Sequence, residues 1–338
     1  MKSLSQKRLS ALLKNFSKKR ILVLGDVGVD KYTIGRVHRI SPEAPIPIIE
    51  VTETNLKLGL AANVADNIAA LGGSPLLVSV IGHDTAARDF RALLKKSSIS
   101  EDYLVVDDTR PTTLKERVIA ESQQVCRVDH ESKLVLSAAL HKALLKKLLA
   151  ALAKADAVII EDYAKGLLQS SLSQTVIAEA RSRNVPVLVD PNRNSPASLY
   201  QDCTVITPNV LEAEALTRIE ITNEQSLERA GRRLLELTNA DVAIITRGKD
   251  GMALFEKARP KLVTYIPTFA QEVFDVSGAG DTVIAALALS LVSQAKLPEA
   301  AYIANAAAGI EVGKRGTATV DRKELAEYCA ARTKLLRH

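Results

Sequence analysis

Tryptophan is absent from this chain of 338 residues, aromatic residues make up 4%, and there are two methionines. With few rings to stack on bases, and with 45 lysines and arginines interspersed among 39 acids for a net charge of +6, a nucleic-acid partner is not expected. A mild positive excess of this kind suits small anionic substrates better. Cysteine is scarce too. Cys126, Cys203 and Cys329 are odd in number, far apart and without Cys-x-x-Cys spacing, which excludes a disulfide framework and a cysteine zinc site and fits a reducing cytoplasm. No apolar run is long enough to span a bilayer, so no membrane association is expected. Residues 1–20 interleave Leu4, Leu9, Leu12, Leu13 and Phe16 with basic residues, which predicts a leading amphipathic helix rather than a secretory core. Also missing are a Gly-x-x-x-x-Gly-Lys-Ser/Thr loop and a Gly-x-Gly-x-x-Gly after the first strand, so P-loop NTPases and dinucleotide dehydrogenases lose ground.

What is present alternates. Short β-branched runs at 21–24, 76–81, 157–160, 185–189, 204–206 and 242–246 read as strands, with a further strand at 252–255. Longer helical patterns occupy 63–71, 86–96, 137–154, 172–183, 223–237 and 281–294. This order predicts an α/β fold in three layers, a mostly parallel sheet flanked by helices, with ligands at the carboxyl ends of the strands. Two segments break the pattern, one punctuated by Pro42, Pro45 and Pro47 and one alternating residue by residue. They predict a small β lid built from about 31–52 and 110–130, within a single domain spanning 1–338.

The most informative run is Asp275-Val276-Ser277-Gly278-Ala279-Gly280-Asp281, a glycine-rich loop entering an apolar helix. Bare amides at a helix N-terminus, reached through Gly278, Ala279 and Gly280, make an anion hole, and Asp281 beside it would take a proton from an attacking hydroxyl. The alternative is an ordinary turn with Asp281 as the N-cap. Asp30, in the acid-rich end of the first strand, is either a sugar-hydroxyl acceptor or a turn residue. Thr113, Lys115 and Arg117 share one face of a period-2 strand, and Gln123, Arg127 and Asp129 follow at the same parity. Cations aligned in this way suit a phosphate, or else form a solvated strand face.

From Gly25 to Gly316 the order of motifs resembles the ribokinase-like (PfkB) family of carbohydrate kinases. The resemblance rests on Asp30, on Gly59 and Asn63 in Leu-Gly-Leu-Ala-Ala-Asn, and on Asp162-Tyr163-Ala164-Lys165-Gly166. It rests further on Asn209-x-x-Glu212, on Thr246-Arg247-Gly248-x-x-Gly251, and on the run ending at Asp281. It departs at Leu60, where the family carries the second glycine of a pair. What it implies is an ATP-dependent kinase with Mg²⁺ near Glu212, acting through water. Asp30, Gly59, Asn63 and Lys165 would face the sugar, and Asn209, Glu212, Thr246, Arg247, Gly248 and Asn305 the nucleotide. Asp162 or Asp190 would order metal-bound water and Lys165 or Arg193 would face phosphate, the alternative for each being ordinary loop chemistry.

The strings Arg39–Pro47 and Arg110–Asp129 are similar to those of heptose-7-phosphate kinases of the lipopolysaccharide core pathway. The implied substrate is a phosphorylated heptose, with Lys115, Arg117 and Arg127 on its phosphate. The absence of a His-x-Gly-His nucleotidyltransferase signature predicts the kinase half alone, served by a separate partner enzyme. The lid's strand edges predict a homodimer.

Overall fold

The computed structural model describes residues 4–121, 123–270, 274–314, 316 and 318–335. Among these, nine strands form one sheet: β1 (Arg20–Gly25), β4 (Ser74–Ile81), β5 (Leu104–Val106), β8 (Ala157–Glu161), β9 (Val187–Asp190), β10 (Val205–Ile206), β11 (Val242–Thr246), β12 (Met252–Glu256) and β13 (Val263–Ile266). Their order is β13-β12-β11-β10-β9-β8-β1-β4-β5, parallel from β5 through β11 and closed by two antiparallel strands.

Alternation along β1 shows why both faces must be covered. Ile21 and Val23 turn to one side, into a core shared with helices Ala61–Ala70 and Ala279–Val292; Leu22 and Leu24 turn to the other, toward helices Ala138–Leu152 and Ser170–Ser182. A strand buried on both faces reads as a continuous apolar run. The first helix, Gln6–Phe16, is capped by Ser5 and buries Leu9, Leu12, Leu13 and Phe16, as the leading amphipathic pattern predicts.

A second sheet projects from the carboxyl ends. It comprises β2 (Val27–Ile40), β3 (Pro47–Leu60), β6 (Thr113–Ala120) and β7 (Gln123–His130), in the order β3-β2-β6-β7. The lid is therefore longer than the sequence suggests: it starts at Val27 and runs to Leu60. Over most of its length β3 is exposed or half-exposed on both faces, so it lacks the apolar alternation that marks a strand. Gln123 also leaves the predicted row. An irregularity beside Ile119 pairs Gln124 with Ile119 and Gln123 with Ala120, on the face away from Arg117.

Leu60 joins β3 to helix Ala61–Ala70 at φ 59°, ψ −141°. That is backbone suited to glycine, and it costs any other residue about 1–3 kcal/mol. Alanine normally exceeds glycine in stability by about 0.5–1 kcal/mol in regular structure. At this position the order is expected to invert. Leu60→Ala loses the buried side chain and keeps the strain, whereas Leu60→Gly loses the side chain and relieves it. The glycine variant should be the more stable by about 1 kcal/mol, read as the difference between their denaturation midpoints; alanine above glycine would contradict the strain.

Candidate active site

The sheet register assembles the site. Gly25, Glu161 and Asp190 are partners on the last rung of β1, β8 and β9, so two carboxylates stand side by side where the strands end. One carboxylate oxygen from each of Glu161, Asp190 and Asp281 lies within 4.8 Å of the others. Glu161 is buried, and its Oε1 has no hydrogen-bond partner. Burial, followed by the neighbouring acids, pushes both Glu161 and Asp190 well above the usual carboxylate range. An orphaned buried oxygen among crowded carboxylates is a donor set that a hard divalent cation would satisfy.

Asp281 is the third residue of helix Ala279–Val292, whose N-cap is Gly278 at φ 95° with no side chain capping it. The ordinary-cap reading of Asp281 is thereby excluded. Its carboxylate turns away from its own helix instead. Asn63 Nδ2 donates to Oδ2 at 2.7 Å, and the Tyr163 hydroxyl donates to Oδ1 at 2.9 Å. Burial raises the Asp281 carboxyl to about 6 against the pull of those two donors. A Cβ on Gly280 would lie 3.4 Å from Asp190 Oδ2, so the turn leading into the helix runs beside the acid cluster.

Over this point lies one face of the lid. By register, Lys57, Asp30, Lys115 and Asp129 form one row across β3, β2, β6 and β7, and Asn55, Tyr32, Arg117 and Arg127 form the next. Asp30 and Lys115 are close enough to bear on the charge of Asp281. Asp30 is buried and accepts from Arg117 Nη1 at 2.6 Å. Gly59 permits this: a Cβ there would come within 2.9 Å of Asp30 Oδ2. Tyr32 lies between two cations, Arg117 at 5.3 Å and Lys57 at 5.6 Å from its ring centre. Burial lowers the Lys115 ammonium below the usual lysine range.

Lys57 adds a fourth cation that the sequence reading missed. Its position opposite Asp30 was not visible without the register of β3. Arg127 is half-exposed and forked onto Asp129, with both contacts at 2.9 Å. Lys165 is bound by Glu131 at the base of the lid, so its amine ties the exit of β7 to the loop after β8.

On the other side of the helix N-terminus opens a cavity of about 530 Å³, lined by Thr246, Gly248, Ala279, Gly280, Asn305 and Ala308, among others. Asn305 Nδ2 donates to the Pro267 carbonyl at 2.6 Å, which fixes that wall. The Arg247 guanidinium lies over the Tyr265 ring, 5.7 Å from its centre, and Arg247 does not line this cavity. Asn209-x-x-Glu212 turns out to be a capping box. Asn209 Oδ1 accepts from the Glu212 amide at 3.0 Å, and Glu212 Oε2 accepts from the Asn209 amide at 2.8 Å. The cap pins Glu212 where its charge still acts on Glu161 and Asp190.

Of the two acids weighed for metal-bound water, Asp162 is consumed structurally. It accepts from Ala164 N, Ser195 Oγ and the Tyr200 hydroxyl. Asp190 is the one in the cluster. Glu161 was legible only as the polar end of an apolar strand.

The family model for pfkB family carbohydrate kinases matches residues 18–324. Among curated relatives, the bifunctional protein HldE of Helicobacter hepaticus is 41% identical over 309 residues, covering 91% of this chain and 63% of its own length. The HldE of Shewanella baltica is 44% identical over 315 residues, covering 93% and 64%. The chain thus spans somewhat less than two thirds of these relatives. Among solved structures, Arabidopsis thaliana ribokinase complexed with ribose and ATP superposes with a TM-score of 0.72 at 20% identity, over 92% of this chain and 98% of that one. Phosphofructokinase-2 from Escherichia coli in complex with potassium gives 0.74 at 18%, over 93% and 99%. At such identities the likeness shows the fold, which is the ribokinase-like α/β architecture.

Proposed function

The chain belongs to the pfkB family of carbohydrate kinases, and from that premise we propose that it transfers the terminal phosphoryl group of ATP to the anomeric O1 of D-glycero-D-manno-heptose 7-phosphate. The product would be the 1,7-bisphosphate, a step toward ADP-heptose for the lipopolysaccharide core. One observation carries the reading. A half-buried carboxylate, Asp281, is held by two donors at an uncapped helix N-terminus, between a cation-bearing lid face and a cavity large enough for a nucleotide.

In this reading Asp281 accepts the proton of O1 as the O1–P bond forms and the bond from phosphorus to the ADP oxygen breaks. The amides of the 278–280 turn stabilise the charge on the transferring group. Asp30 and Asn63 orient the sugar. Lys115, Arg117 and Arg127, joined by Lys57, face the 7-phosphate; Arg117 spends one donor on Asp30 and keeps the rest of its fork. Mg²⁺, held by Glu161 and Asp190 with Glu212 acting through water, would neutralise charge on the phosphates of the donor. The 530 Å³ cavity would take the nucleoside.

The test is ADP release with Mg²⁺-ATP offered heptose 7-phosphate, fructose 6-phosphate, ribose or no sugar. Turnover confined to the heptose phosphate supports the assignment. Turnover only on ribose keeps the kinase and overturns the phosphate subsite, turnover only on fructose 6-phosphate overturns the heptose, and binding of both ligands without ADP would make the chain a binding protein. The lid also exposes Ile40, Ile46, Val51, Val125 and Val128, which supports a homodimer through this sheet. A monomeric mass in sedimentation at micromolar concentration would refute the dimer.

A further inference from the structure

We propose that Tyr163 is a positioning residue for the base, fixing the direction in which the Asp281 carboxylate points. The inference rests on the reading of Asp281 given above.

Tyr163 and Asp281 are 118 residues apart in sequence, and their side chains meet through a hydrogen bond of 2.9 Å. The Tyr163 ring packs partly buried against the core under the first face of the sheet, so its hydroxyl is presented from a fixed platform. The second donor to Asp281 is equally well backed. Asn63 gives its side-chain amide to Oδ2, its main-chain carbonyl accepts from Asn67 Nδ2 at 3.0 Å, and Asn67 Oδ1 accepts from Thr282 Oγ1 at 3.1 Å. Asn67 and Thr282 are fully buried. A closed ring of contacts therefore joins helix Ala61–Ala70 to helix Ala279–Val292 and grips one oxygen of the carboxylate.

A carboxylate gripped at one oxygen still turns about that contact. Here it has other polar groups to turn toward, because carboxylate oxygens of Glu161 and Asp190 lie within 4.8 Å of one of its own. The hydroxyl of Tyr163 holds the second oxygen and removes that freedom. Since displacements of about 1 Å at a reacting group cost about 10²-fold in rate, the hydroxyl acts on kcat and leaves substrate affinity alone.

The experiment compares Tyr163→Phe with the parent chain, and with Asp281→Asn alone and combined with Tyr163→Phe. Steady-state kcat and KM are measured with Mg²⁺-ATP and the panel sugar that is turned over, and thermal midpoints are measured alongside. The expected result is a fall in kcat of about 10–100-fold, with KM for both substrates within about threefold and the thermal midpoint nearly unchanged. In the Asp281→Asn background the same change should add no further loss, because residues that act as a unit are not additive. Parental kcat in Tyr163→Phe, or an equal loss in both backgrounds, overturns the proposal. If Tyr163→Phe does not fold, Tyr163→Leu is read in the same way; failure of both to fold makes the residue structural and also overturns it. Parental activity in Asp281→Asn alone would sink the base assignment. A dead Asp281→Asn beside a fully active Tyr163→Phe sinks only the role of Tyr163.

Discussion

Asp281→Asn is expected to lower kcat by about 10²–10⁴-fold, the usual contribution of a general base, and to make the protein more stable. The two effects share one cause. Burial raises this carboxyl to about 6 from an ordinary value of 3.8, so the fold holds the proton more tightly than the unfolded chain does. The stability contributed by this group is therefore greatest at acid pH and is lost as pH rises from about 3.8 to about 6. At neutral pH the charged form costs up to roughly 2–3 kcal/mol, taking 1.36 kcal/mol per unit. Asparagine carries no such charge and can still pair with Tyr163 through its carbonyl. In metal-free buffer the variant should gain in denaturation midpoint at pH 7 and lose that advantage toward pH 4. A parental kcat would refute the catalytic role, and equal midpoints at both pH values would refute the electrostatic cost.

The second large effect is expected at Arg117. Its guanidinium is paired with Asp30 at 2.6 Å, and the two side chains are 16% and 7% exposed. Removing Arg117 breaks the direct bond and leaves the Asp30 carboxylate only its row neighbours Lys57 and Lys115, a loss of up to about 3–5 kcal/mol. Arg117→Met should therefore lower stability by roughly that amount. It should also lower kcat/KM for the phosphorylated sugar by about 10–100-fold, as expected when a charge-assisted contact worth about 1.5–3 kcal/mol is lost. The double variant Asp30→Leu/Arg117→Met separates the two consequences. Stability should return toward the parent, since a buried ion pair and an apolar pair of similar volume are nearly equivalent, while activity should stay low. Activity restored along with stability would show that neither residue meets the substrate.

The parts of this molecule that were legible in the sequence are those whose signal is local. β1, β8 and β11 are apolar runs, and the start of helix Ala279–Val292 announces itself through two glycines and the apolar stretch that follows. Asn209 and Glu212 were singled out by the order of motifs in the family they resemble, and the physical reason for their spacing, a reciprocal helix cap, became visible only in the structure. What stayed hidden depends on register or on distant pairing. Glu161 becomes chemically interesting because Asp190 is its neighbour on the last rung. Lys57 matters because β3 sets it opposite Asp30. Gln123 was misplaced by one irregular pair, since a single extra residue turns everything beyond it to the other face. The assignment of Lys165 to the sugar illustrates the same limit: a lysine after a strand does not reveal that a glutamate 34 residues earlier already holds it.

The way the lid is attached has a mechanical consequence. Only Asp26 separates β1 from β2, and β3 enters helix Ala61–Ala70 directly at Leu60. A flap hung on slack linkers swings without disturbing its anchor; a beam built into its support does not. Any tilt of this sheet is delivered at its roots, and one root lies within a single helical turn of Asn63, which grips Asp281. Occupancy of the proposed sugar pocket would thus be transmitted as torque to the Asp281 carboxylate. A ligand that merely props the lid ajar would silence the chemistry without touching a single atom of the nucleotide cavity.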